Sequence, residues 1–137
     1  MEERRDALRR HAQALIAAGV LAGAVGGAAA CELPPGTRLE SKRQMVSYRT
    51  IPSRILVGEN FALELAACPK QGAALPQRVK LDARMPEHKH GMNYRPDLKP
   101  LGAGRYRSDG WLFHMPGRWE FVFDLDGERL THSVRIE

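Results

Sequence analysis

Histidine and methionine are concentrated in two short stretches of this 137-residue chain. Met85-Pro-Glu-His88-Lys-His90-Gly-Met92 carries two of each, and His114-Met115 adds one more of each. Imidazole and thioether together form a copper donor set, because the soft sulfur selects Cu(I) while imidazole accepts either oxidation state. Zinc binds Cys, His and carboxylate and takes thioether poorly, so a zinc site would have to use His88, His90 and a carboxylate such as Glu87; zinc is the less favoured metal. If the first stretch stays extended, His88, His90 and Met92 stand at i, i+2 and i+4 and project to one side, with Gly91 leaving the backbone free to bend. His114 and Met115 are neighbours and face opposite ways in a regular strand, which favours His114 as the ligand of the two. Met85 and Met115 also continue inward-facing rows and fit a core. His132, alternating with Leu130 and Val134, reads as structural; Trp111 and Trp119 read as core or rim aromatics; Arg95, Arg105, Arg107 and Arg118 read as a solvated face. No Ser or Cys stands at motif spacing from a base, and there is neither a paired-acid cleft nor a glycine-rich phosphate loop, so the chain is not expected to be an enzyme.

The elements that must position these groups are strands. Phe61, Leu63, Leu65 and Ala67 alternate with other residues along one face, as do Val79, Leu81, Ala83 and Met85, then Trp119, Phe121, Phe123 and Leu125, then Leu130, His132, Val134 and Ile136. Weaker candidates lie at 44–50 and 105–113. Gly and Pro signals separate the segments, and Asp126-Gly127 is a hairpin turn. Six or seven strands with no long helical pattern predict an all-β fold, an antiparallel β-sandwich of immunoglobulin-like type with about seven strands over residues 44–137. Pro86 ends one strand, and Pro116-Gly117 follows another. Both His/Met stretches therefore sit at strand ends, where one rim of a sandwich could bring them together.

Residues 14–30 carry no charge, follow a charged segment and end in Ala28-Ala29-Ala30 before Cys31. That is the layout of a secretory signal peptide; a retained membrane anchor and lipidation of Cys31 are the alternatives. A periplasmic or extracytoplasmic location follows, with membrane association only through residues 14–30 or Cys31. Residues 31–43, rich in Pro and polar groups, read as an extended arm. Export would leave two cysteines, Cys31 and Cys68, an even number in an oxidising compartment, and a disulfide between them is the favoured state of both. The chain has 21 Lys and Arg against 16 Asp and Glu, a formal net charge of +5. Without residues 1–30 the surplus is spread without runs, which argues against a nucleic-acid partner.

The segment Met85-Pro-Glu-His-Lys-His-Gly-Met92, followed by Phe113-His-Met-Pro-Gly-Arg-Trp119-Glu, resembles the YtkA-like family over residues 44–136. These are small exported β-sandwich domains grouped near FixH-type and CopC-like periplasmic copper proteins. The resemblance implies a metal-handling accessory role, with His88, His90 and Met92 matching the first His/Met segment and His114 and Met115 falling at the second. CopC-like carriers often hold Cu(II) with the mature amino terminus and a first-position His; Cys31 has no His beside it, so a Cu(I)-leaning site fits better. The expected function is buffering or delivery of copper, the expected partner an envelope metalloprotein or an oxidase under assembly. The competing expectation is a non-metal immunoglobulin-like module that assists assembly of an envelope complex.

Overall fold

The computed structural model describes residues 31–137; residues 1–30, where a signal or anchor is expected, lie outside the described residues. The described chain is all β, with strands β1 (Thr37–Glu40), β2 (Gln44–Ile51), β3 (Asn60–Pro69), β4 (Val79–Met85), β5 (His90–Gly91), β6 (Lys99–Gly102), β7 (Arg105–Leu112), β8 (Gly117–Leu125) and β9 (Glu128–Ile136). They form two antiparallel sheets, β1-β2-β3-β7-β6 and β5-β4-β8-β9. No helix among the described residues is long and apolar enough to cross a membrane.

The six long strands are the six that alternation predicts. The count reaches nine rather than about seven because β1, β5 and β6, of four, two and four residues, are too short to show a period of two. One of them lies inside the expected arm: β1 pairs with β2 through Thr37↔Tyr48 to Glu40↔Met45, so organised structure begins at Thr37.

The inward rows of the two sheets meet in one core. Trp119, Phe121, Phe123 and Leu125 of β8 are buried against Phe61, Leu63, Leu65 and Ala67 of β3, with Ala83 and Met85 of β4 beside them. In β7 both Ser108 and Trp111 are buried although they are three residues apart. The register shift opposite Phe61/Leu63 and the positive φ of Gly110 (87°) supply the extra residue that makes this parity change, so Trp111 and then Phe113 turn inward. The Trp111 indole N–H donates to Ser108 Oγ at 2.8 Å, and that hydroxyl in turn donates to the Asp97 carbonyl. Cys31 and Cys68 are disulfide-bonded, with Cα atoms 5.6 Å apart, which fastens the chain ahead of β1 to the buried end of β3.

Candidate metal centre

Register builds the floor of the site. His90 on β5 is the cross-strand partner of Met85, and Met85 stands one residue beyond the Arg84↔Glu120 pair that joins β4 to β8. Cross-strand partners share a face, so His90, Met85 and Trp119 lie in one row on the inner side of the four-stranded sheet. Met85 and Trp119 are fully buried at 1% and 0% exposure, while His90, on the edge strand, is half-buried.

The segment from Met85 to Met92 is not extended throughout. Pro86 to Lys89 form a turn in which the His88 N–H donates to the Met85 carbonyl at 3.1 Å, and Lys89 takes a φ of 55°. The i, i+2, i+4 projection of His88, His90 and Met92 therefore fails at His88, and the bend falls at Lys89 rather than Gly91. The turn instead folds the exposed His88 ring back toward His90, with ring centroids 5.6 Å apart. Glu87 pins this turn to β8, accepting from Arg118 Nε at 2.9 Å. That bond, and the Arg118 charge behind it, hold the Glu87 carboxyl below its ordinary range.

His114 reaches the same rim from the β7–β8 connection. Its ring centroid is 5.3 Å from that of His90. Both rings stand edge-on to Trp119, at 6.1 Å from His90 and 5.4 Å from His114. Trp119 is itself fixed, stacked on Phe113 at 4.3 Å and donating its indole N–H to the Met115 carbonyl at 3.0 Å. The Met92 and Met115 side chains are half-buried and pack against the core. Thus His90 lies between His88 and His114 at one rim, while Met92 and Met115 pack against the core.

The His88–His90 and His90–His114 spacings each suit two imidazoles on a shared ion. Two imidazoles bound to one tetrahedral ion through bonds of about 2.0 Å have ring centres about 5 Å apart. Nevertheless, no three His, Cys, Asp or Glu side chains among the described residues are placed so that they could hold a metal ion. Two of the three imidazoles have the polar surroundings of ligands. His90 Nδ1 lies 3.1 Å from the Gly91 carbonyl; as the protonated nitrogen it leaves Nε2 as a free lone pair, the arrangement common among metal-binding histidines. His114 Nδ1 is buried with no hydrogen-bond partner. An unpartnered buried polar atom costs roughly 1–3 kcal/mol, which a bound ion would offset. The exposed Glu87 carboxylate, next to His88 in sequence, is paired with Arg118 at 2.9 Å.

Sequence reasoning read Trp119 as a core or rim aromatic, in keeping with its 0% exposure, and gave Arg118 to a solvated face. Trp119 is the wall on which both histidines rest, and Arg118 holds the His-bearing turn. The spacing of Met-Pro-Gly-Arg-Trp was the available signal: it places Trp119 two residues into β8, level with Met85.

No family model matches the chain, and no curated protein is similar to it.

Proposed function

We propose that this is an exported, non-enzymatic copper-binding accessory protein that buffers or delivers Cu(I) through His88, His90 and His114, with the thioether of Met92 or Met115 completing the donor set. The observation that carries this reading is the meeting of His90 and His114, from connections in different parts of the chain, at 5.3 Å over one buried indole. The donor chemistry favours copper over zinc: Met92 and Met115 stand close to His90 and His114 in sequence, and the Glu87 carboxylate beside His88 is paired with Arg118. Copper is cargo here. A rim of exposed and half-buried ligands gives a partner access to it, as delivery requires. The YtkA-like resemblance and an immunoglobulin-like relation of the two sheets belong to the same proposal. So does export, with which the Cys31–Cys68 disulfide is compatible.

The test is competition for Cu(I) between the purified chain and a chromophoric chelator, with ascorbate as reductant so that the disulfide survives. The wild type is expected to withdraw one equivalent of copper, and a triple His88→Ala, His90→Ala, His114→Ala variant to withdraw none. Equal withdrawal by the folded triple variant would sink the copper reading and leave the non-metal assembly module in its place.

A further inference from the structure

Among the described residues the two sheets end in four edge strands, and three of these are poor templates for further pairing. β1 and β6 have four residues and β5 two, and β6 also carries Pro100 and a register shift. β9 is different. Its nine residues, Glu128–Ile136, contain no proline and no register shift, and among the described residues they pair with β8 alone. The two-residue turn Asp126-Gly127, with both residues at positive φ, makes Leu125↔Glu128 the first hydrogen-bonded pair of the hairpin. Counting by twos from Glu128, the even-numbered residues bond to β8. The N–H and C=O groups of Arg129, Thr131, Ser133 and Arg135 face the open edge.

The inner row of this strand is also unfinished. Leu130, His132 and Val134 are half-buried, and a cleft of about 550 Å³, lined by Phe121, Val134, Ile136, Ile55 and Leu56, opens beside them. At this cleft the Tyr48 hydroxyl meets His132 Nδ1 at 2.5 Å, which ties the edge strand to the five-stranded sheet and keeps it extended for pairing. An added strand must bring apolar residues to the inner row and must tolerate Arg129 and Arg135 on the outer one. β9 itself meets both demands in one register. Two copies related by a two-fold axis at Ser133 pair Ser133 with Ser133, Thr131 with Arg135 and, one residue past Ile136, Arg129 with Glu137. On the inner face Leu130 then meets Ile136, and His132 meets Val134. A register centred on His132 would instead set Arg129 against Arg135 twice, and like charges directly opposite repel. The arginines thus choose between registers rather than close the edge.

We propose that the β9 edge binds a second copy of this chain by antiparallel strand pairing centred on Ser133, joining the two four-stranded sheets into one with β5 and its histidine at both ends. The pairing fills the open ladder, brings Leu130 of the second copy beside Ile136 at the cleft, and leaves both copper rims free. Sedimentation equilibrium of the full chain tests it, and a concentration-dependent monomer–dimer equilibrium is expected. Thr131 is exposed and its N–H points out of the sheet, so Thr131→Pro should fold normally, as dichroism and a melting curve check, and raise the dimer dissociation constant at least about tenfold. Arg129→Glu should weaken the dimer by setting two carboxylates together, and adding Glu137→Arg should restore it. A chain that stays monomeric at every concentration, a folded Thr131→Pro variant that dimerises as tightly as wild type, or an Arg129→Glu change that leaves the dimer unweakened or that Glu137→Arg does not reverse would each overturn the proposal.

Discussion

His114 is the residue on which the copper reading turns, because it is the one imidazole supplied by a different connection and the one whose buried nitrogen lacks a partner. Replacing it should therefore do two things. Cu(I) affinity should fall by at least about tenfold in His114→Ala, as loss of ligand support generally brings. Stability without copper should not fall in the way that deleting a satisfied buried group would make it fall, because no hydrogen bond is lost. Competition with a chelator and denaturant unfolding check the two halves separately. Trp119 gives a further residue-scale readout. Its indole lies within 6.1 Å of both the His90 and His114 rings, so copper held there should quench most of its emission. Trp111 also emits, and a Trp111→Phe background isolates the Trp119 signal. Unchanged Trp119 emission on addition of one equivalent of Cu(I) would place the ion elsewhere.

Two connections at opposite ends of β8 hold it in the four-stranded sheet. The first is the entry to β8. Gly117 has a φ of 129°, and a Cβ there would come within 2.7 Å of Met85 Cε. Gly117→Ala should destabilise the fold by roughly 1–3 kcal/mol, since an L side chain is strained in that conformation. The methionine tip can move, but only by disturbing the row that it shares with His90 and Trp119, so copper affinity should fall together with the melting temperature. The second is the β8–β9 hairpin. Asp126 accepts hydrogen bonds from the backbone N–H groups of Arg78 at 2.8 Å and Gln77 at 3.0 Å, and these hold its carboxyl below the ordinary range. A lowered folded-state value means that the carboxylate stabilises the fold above the ordinary range and that this contribution disappears as pH falls through the folded-state value. Asp126→Asn tolerates the same left-handed turn, at φ 52°, but cannot accept both bonds with full charge. The variant should melt lower than wild type at pH 7, and the gap should close on acidification below about pH 4. Melting curves across that range give the answer, and a gap independent of pH would assign the effect to geometry alone.

Over the whole molecule, the main constraint besides the core is the Cys31–Cys68 link, which spans 37 residues and closes the chain from ahead of β1 to the end of β3. By loop-closure entropy such a link contributes up to about 4 kcal/mol by restricting the unfolded chain. Reduction, or a Cys31→Ser, Cys68→Ala variant, should lower the unfolding free energy by about 2–4 kcal/mol without changing the two-sheet architecture. Cys31 bonded in this way has no thiol left for a lipid, so an acylated form would carry a free Cys68. Mass analysis of the protein as expressed separates the two states.

Alternation of apolar residues was enough to locate four of the long strands and their inward faces, because a pleated strand against a core repeats every two residues, and β2 and β7, whose parity changes at a bulge, gave only weaker signals. Composition was enough to identify histidine and methionine as the chain's unusual resource. The short edge strands carried no such signal. The turn at Pro86 to Lys89 was illegible for a different reason: its conformation depends on Lys89 entering the left-handed region and on Arg118, thirty-one positions from Glu87, holding it in place. The pairing of His90 with His114, the indole beneath them, and the Tyr48–His132 contact at the far edge belong to tertiary structure alone. Each joins residues from separate elements, and only the register of paired strands and the packing of one sheet on the other fix which of them meet.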